Sequence, residues 1–277
     1  MKISIITVCL NEKDTIEATL LSVFNQTFKD VELIVVDGLS TDGTLDIIDK
    51  YKDNIARFVS ESDSGLYNAM NKGISLATGD YLLFLNANDS LYNNNVLENV
   101  ANCLDKNPQA KMLYGKVNFV SEDGSTSDVH SYEQITNHFA LLENNICHQS
   151  IFYNLKAFHD FGAYHPDYKI WADYDCNMNL LIKNRLKAVY LPIIISNFQM
   201  GGICTSASNK IQTQKERRML LKKYFPKYKS IILANDFLKR SFGSIYNPIV
   251  NNKLTRHLIK SYRLKEKYRL NVTLAEG

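Results

Sequence analysis

Apolar positions along the first ninety residues alternate between two periods. Ile3–Val8 is a short run of apolar and β-branched residues and predicts a strand. Ile16, Leu20, Val23 and Phe24 then recur at helical spacing, behind Asp14 and Glu17, which have the D-x-x-E spacing of a capping pair. Leu33–Val36 is continuously apolar, as in a strand covered on both faces. A turn is expected over 38–43, a helix over 44–51, a strand over 57–61, a helix over 66–77 closed by Gly79, and a strand over 81–85. Strand and helix alternating in this way predict an α/β fold, a mostly parallel sheet flanked by helices.

Polar residues stand where these strands end. Asn11 and Glu12 follow the first, Asp37 ends the second, residues 61–63 follow the third and residues 86–89 the fourth. Parallel sheets bind ligands beyond the carboxyl ends of their strands. Acid and amide groups at four such ends predict a ligand site along that edge.

Beyond residue 90 the pattern is less regular. Helices are expected over 93–106, 132–142 and 174–184, strands over 113–120, 146–153 and 188–198, and a turn over 122–125. Gly201 and Gly202 interrupt the pattern, and three helical stretches rich in Lys and Arg follow, over 210–224, 228–242 and 254–268.

Composition adds a boundary. The chain has 277 residues, 45% hydrophobic and 22% charged, which suits a globular protein with a sizeable core. Its net charge of +3 divides unevenly: residues 1–204 carry −10 and residues 205–277 carry +13. That split predicts two regions and an anionic partner for the second. The five cysteines are scattered without C-x-x-C spacing, which points to a reducing compartment, no disulfide frame and no zinc site. The N-terminal apolar run is too short for a secretory signal, and no stretch approaches the roughly 18 apolar residues of a membrane span. A cytoplasmic location is expected, with any membrane contact peripheral, at the inner face of the cell membrane.

Five sequence blocks carry a family resemblance. They are Ser4-Ile5-Ile6-Thr7-Val8 running to Asn11-Glu12, then Leu33-Ile34-Val35-Val36-Asp37-Gly38, Ser40-Thr41-Asp42-Gly43-Thr44, the stretch from Asp63-Ser64-Gly65 to Asn71-Lys72-Gly73, and Leu83-Phe84-Leu85-Asn86-Ala87-Asn88-Asp89. In this order they resemble the family 2 glycosyltransferases, most of all the subgroup acting in colanic acid, O-antigen and capsule assembly. The likeness extends more loosely to about residue 205. It implies a GT-A fold, with a Rossmann-like, mostly parallel sheet, a nucleotide-sugar half over 1–90 and an acceptor half over 91–204. A basic helical C-terminal region over 205–277 completes the expected domains. The implied activity is inverting transfer of a hexosyl or N-acetylhexosaminyl group. The donor is a UDP-sugar, the acceptor a hydroxyl of a glycan or lipid-linked surface polysaccharide precursor, and the cofactor Mn²⁺ or Mg²⁺.

The resemblance also assigns residues. Asp37 would pair with the uracil N3–H, a donor suited to a carboxylate, the alternative being a cap for the turn at Gly38. Thr7 and Glu12 would line the base and ribose pocket, and Asp63 would close it. Lys72 would reach a phosphate or stay a surface lysine. The family's D-x-D-type motif is Asn86-Ala87-Asn88-Asp89 here, with Asn at two positions that are commonly Asp. Asp89 is therefore the metal candidate, Asn88 lies beside the nucleotide sugar, and metal affinity is expected to be low. The plainer alternative is a turn before a helix.

On the acceptor side, inversion needs one general base. Asp173 matches the family base. Asp175, two residues on, cannot share its helical face and is expected to cap or pair locally. His148 and Gln149 resemble a His-Gln stretch near the reacting sugars, and Trp171 could stack on a sugar or sit in the core. Gln199-Met200-Gly201-Gly202 is a lid or a plain turn. In the tail, Ile231, Ile232, Leu238 and Phe242 alternate with Lys and Arg, as in a helix lying on an anionic membrane or packed on the catalytic domain. No nucleic-acid-reading module is present. Oligomeric state is not set by these patterns. A nucleotidyltransferase would need a Gly-rich phosphate loop, and Val8–Asp14 has no glycine. A non-catalytic nucleotide-sugar-binding protein is the other rival. A dehydrogenase is disfavoured because no G-x-G-x-x-G follows the first strand.

Overall fold

The computed structural model describes residues 1–161, 164–201, 210–226 and 269–275. In chain order the elements are β1 (Ile3–Cys9), α1 (Ile16–Phe24), β2 (Val31–Asp37), α2 (Thr44–Lys50), β3 (Arg57–Ser60), α3 (Leu66–Leu76), β4 (Tyr81–Phe84), β5 (Ser90–Leu91), α4 (Val96–Lys106), β6 (Met112–Val120), β7 (Ser127–His130), α5 (His138–Glu143), β8 (Ile151–Asn154), α6 (Leu155–Phe161), α7 (Ala172–Met178), β9 (Ala188–Gln199), α8 (Lys210–Tyr224) and β10 (Val272–Leu274).

One sheet runs β10-β9-β6-β8-β4-β1-β2-β3, with β5 paired to β9 and β7 to β6. Pairing is parallel from β4 through β1 and β2 to β3, and again from β6 through β9 to β10. Only β8 enters antiparallel along this path, between β4 and β6. The carboxyl ends of β1, β2, β3, β4, β6 and β9 therefore share one edge. Register levels them: Cys9 pairs with Asp37 and Asp37 with Ser60, while Ala87 N–H donates to Val8 O just past β4.

β1 is buried along its whole length, so both faces of the sheet are covered. Ile6, Val8, Ile34, Val36 and Phe84 share a core with Met70 of α3 and Met178 of α7. Ile3, Ile5, Leu33, Val35 and Leu83 face the other way, against Leu20 of α1 and Leu97 of α4. This two-sided burial is why the strands read as apolar runs rather than as alternation.

The expected strand–helix order of the first ninety residues is present; three local expectations are corrected. Asp14 and Glu17 do not form a capping pair. Thr15 is the N-cap residue, and the Glu17 carboxylate instead accepts from Tyr51 OH at 2.7 Å. The helix expected over 132–142 forms only from His138, because buried Tyr132 and Ile135 are anchored through a turn. The first half of the strand expected over 146–153 is a 3-10 turn, His148–Ser150. Short strands β5, β7 and β10 and helix α6 had no expectation attached.

The described parts of the basic region are built into this fold. Leu220, Leu221 and Phe225 are buried in the α3-side core, and β10 adds a parallel strand to β9. The helices expected over 228–242 and 254–268, and Gly202, lie outside the described residues.

Candidate active site

Two loops at the shared sheet edge lock each other. Asn11 N–H donates to Ser40 Oγ (2.8 Å), Glu12 N–H to Thr44 Oγ1 (2.8 Å), Lys13 N–H to Asp42 Oδ2 (3.0 Å), and Thr41 N–H returns to Asn11 Oδ1 (2.9 Å). The Ser40-to-Thr44 block thus organises the loop after β1. Asn11 sits at φ +56°, tolerable for Asn.

Asp37 has no exposed surface. Its carboxylate accepts from Ser40 N–H (3.0 Å), Ser40 Oγ and Ser60 Oγ (2.7 Å). These donors make it the cap of the turn after β2. Thr7 is likewise buried, its hydroxyl without a partner. Asp63 reaches the space beside Gly38: a Cβ there would lie 2.9 Å from its Oδ2 and 3.4 Å from Leu10 Cδ1. Gly65 N–H holds its other oxygen at 2.8 Å. Lys72 supports the same loop, pairing with Glu61 (2.9 Å) and donating to Ser62 O (2.7 Å). The Glu12 carboxylate accepts from Thr15 Oγ1 at 2.6 Å.

Past β4, Asn88 is exposed at φ +78°, which turns the chain so that Asp89 points inward. Asp89 is 5% exposed. Gln149 Nε2 donates to its Oδ2 (2.8 Å) and Gln199 N–H to its Oδ1 (3.1 Å). Burial pushes its carboxyl up to about 7, against the hydrogen bonds from Gln149 and Gln199 and the charge of His148. Asn86 Oδ1 is buried without a donor, three residues before Asp89. No group of three or more His, Cys, Asp or Glu forms a metal cluster among the described residues. One carboxylate and one unpartnered amide oxygen nonetheless fit a hard cation that completes its shell with phosphate oxygens and water.

Gln149 and its neighbour connect this group to the acceptor side. His148 is 6% exposed. Its Nε2 lies 3.2 Å from Asn86 Nδ2, a donor, so Nε2 accepts and the ring proton sits on Nδ1, 3.4 Å from Asp173 Oδ2. Asn145 Nδ2 also donates to Asp173 Oδ2 (3.1 Å) and Tyr174 N–H (2.7 Å) to Oδ1, with the Tyr67 hydroxyl 3.2 Å from Oδ1. Asp175 points elsewhere, to Lys223 Nζ (2.8 Å) and Tyr224 OH (2.9 Å). A pocket of about 270 Å³ opens beside Asp173, lined by Leu142, Asn145, Ile170, Trp171, Tyr174 and Arg217. Trp171 is half-buried there, tilted against Tyr174.

Two contributors carry no role in the sequence reading, and a third carries only that of a lid or turn. Tyr67 lay inside a quoted block and Asn145 stood just before the Cys147-His148-Gln149 stretch. Gln199 was noted only as part of a lid, yet its backbone N–H holds Asp89.

Solved structures share this architecture. S. aureus TarS 1-349 in complex with UDP-GlcNAc matches with a TM-score of 0.67 at 20% identity, over 93% of this chain and 78% of its own. The mannosyltransferase PcManGT from Pyrobaculum calidifontis, in complex with GDP-Man and Mn²⁺, matches at 0.62 and 16%, over 94% and 79%. The fold is therefore that of the GT-A glycosyltransferases. The family model described as glycosyl transferase family 2 matches residues 4–163. A PGL/p-HBAD biosynthesis glycosyltransferase of Mycobacterium bovis is 35% identical over 211 residues, covering 75% of this chain and 80% of its own. The chain belongs to glycosyl transferase family 2 and is a glycosyltransferase. Over a shorter stretch of 88 residues, 31% of this chain and 35% of its own, the Escherichia coli UDP-Glc:alpha-D-GlcNAc-diphosphoundecaprenol beta-1,3-glucosyltransferase WfaP is 42% identical.

Proposed function

We propose that this enzyme transfers a sugar from a UDP-sugar, with inversion, to a hydroxyl of a lipid-linked surface-glycan precursor. The observation that carries this reading is the continuous chain from Asp89 through Gln149 and His148 to Asp173. It joins a carboxylate suited to the leaving-group side to one suited to the acceptor side, across a single turn.

On the donor side Asp63 reads the base, taking the role first expected of Asp37, because its oxygen lies in the space left by Gly38. Thr7 and Glu12 would line the base and ribose pocket, and Asn88 would lie beside the nucleotide sugar. Asp89 and Asn86 would hold Mn²⁺ or Mg²⁺, which when bound stabilises the charge growing on the departing diphosphate. On the acceptor side, Asp173 takes the proton of the attacking hydroxyl. Three donors, Tyr174 N–H, Asn145 Nδ2 and His148 Nδ1–H, orient it toward the pocket, and His148 fixes its rotamer. Asp175 is committed to Lys223 and Tyr224, so one carboxylate serves this face. A single displacement with inversion needs one base and no second carboxylate nucleophile.

The relatives support the substrate class. WfaP is named for a UDP-glucose donor and a diphosphoundecaprenol acceptor, and TarS binds UDP-GlcNAc. Among the described residues no helix is long and apolar enough to cross a membrane. The net charge of +13 over residues 205–277 would suit an acceptor held at an anionic membrane surface.

The test has two stages. A melting panel of UDP-, GDP- and dTDP-sugars, each with Mn²⁺, identifies the donor by the largest rise in Tm. With that donor, Asp173→Asn should lose about 10²–10⁴-fold in transfer while the melting shift persists. Normal turnover by Asp173→Asn, or a panel in which only GDP-sugars bind, would overturn the reading.

A further inference from the structure

Glu216 is the sole acid of α8, in a helix otherwise rich in Lys and Arg. It has no exposed surface. Its carboxylate accepts three successive backbone N–H groups, from Lys169 (2.8 Å), Ile170 (3.0 Å) and Trp171 (2.9 Å), and Gln212 Nε2 donates to the same group. An ionised carboxylate is costly to bury without such donors, and a row of N–H groups is the arrangement that offsets the cost. The gripped segment leads directly into α7. Ile170 O accepts from Tyr67 OH, which also touches Asp173 Oδ1. Two further α8 side chains, Lys223 and Tyr224, hold Asp175. Asp173 is thus bracketed, with Glu216 fixing the backbone before it and Lys223 and Tyr224 fixing the side chain after it. α8 lies beyond the stretch matched by the family model, residues 4–163.

We propose that Glu216 is a positioning residue for acceptor-side chemistry, holding residues 169–171 so that Asp173 and Trp171 face the incoming hydroxyl. This rests on the reading of Asp173 as the base. Glutamine at 216 would keep the size but offer one acceptor oxygen and turn an NH₂ toward backbone donors. The segment should then relax, and displacement of a catalytic group by about 1 Å can cost on the order of 10²-fold.

The full chain is assayed for UDP release and sugar transfer, using the UDP-sugar selected by the melting panel with Mn²⁺. Glu216→Gln should lower kcat about 10–100-fold while donor KM and the donor-induced melting shift stay within about twofold. Glu216→Asp keeps the charge, loses one methylene of reach and should fall between wild type and Glu216→Gln, which keeps the test open if the glutamine variant does not fold. A folded variant with wild-type kcat, or with kcat and donor binding falling together, would overturn the proposal. Asp173→Asn is run in parallel. Normal turnover there removes the base assignment and the clamp's role with it. An inactive Asp173→Asn beside a normal Glu216→Gln removes the clamp alone.

Discussion

Burial holds the carboxyl of Asp89 at about 7, and this has a sign that can be measured. The folded value lies above the unfolded one of about 3.9, so the folded state keeps its proton the longer. Stability contributed by this site is complete below about pH 4 and is lost as pH rises through 7. Its upper bound is about 4 kcal/mol, at 1.36 kcal/mol per pKa unit. In metal-free protein, Tm should therefore drop between pH 5 and pH 8 by more in the wild type than in Asp89→Asn, which has no carboxyl to ionise. Mn²⁺ requires the ionised form, so its apparent affinity should rise across the same window in titration calorimetry. Equal pH slopes in the two proteins would contradict the assignment. At this scale motif position alone singles out Asp89, Gln149, His148 and Asp173, four side chains that the structure brings into one chain of contacts. For Asp37 the sequence offers base pairing or a cap for the turn at Gly38; the donors to its oxygens come from Ser40 and from Ser60 on another strand, which sequence spacing does not show. Nor could it show Asp63 filling the space above Gly38, a contact between loops of β2 and β3.

Elements were legible where one period ran unbroken and both faces met the core. α3 is such a case: its helical spacing marks it from Leu66, and Gly73 sits in a recognisable block. The reason for that glycine lies in packing. A Cβ there would lie 2.3 Å from Cγ2 of Ile6, a branched and fully buried side chain in β1. Alanine would gain up to about 1 kcal/mol of helix preference. Overpacking a filled core costs about 1–3 kcal/mol, and a β-branched methyl held by a strand has little room to yield. Gly73→Ala should accordingly lose about 1–2 kcal/mol in urea unfolding at unchanged m-value, and a stabilised variant would show that α3 can lift from β1 freely. Spacing misled at residues 132–142, where buried Tyr132 and Ile135 mimic a helical face from within a turn. β10 carries only three residues, and its partner in β9 lies some eighty positions earlier, so no local pattern announces it.

Charge divides the chain near residue 204, whereas packing does not follow that division. The acidic part and the basic part meet at Asp175, where Lys223 approaches to 2.8 Å, and at Glu216, the acid of α8 that the basic part sends inward. Leu220, Leu221, Phe225 and Leu270 are each under 9% exposed. Burying such side chains is worth about 1.5–3 kcal/mol apiece, so together about 6–12 kcal/mol. A domain's whole stability is about 5–15 kcal/mol. Removing residues 205–277 would therefore withdraw most of the margin, uncover the β9 edge that β10 now covers, and leave Asp175 without its cation. The fragment 1–204 should show no cooperative thermal transition and should bind a hydrophobic dye at pH 7, although it keeps Asp89 and His148. A fragment that melts cooperatively within a few degrees of the full chain would mean that the C-terminal elements dock on a finished domain.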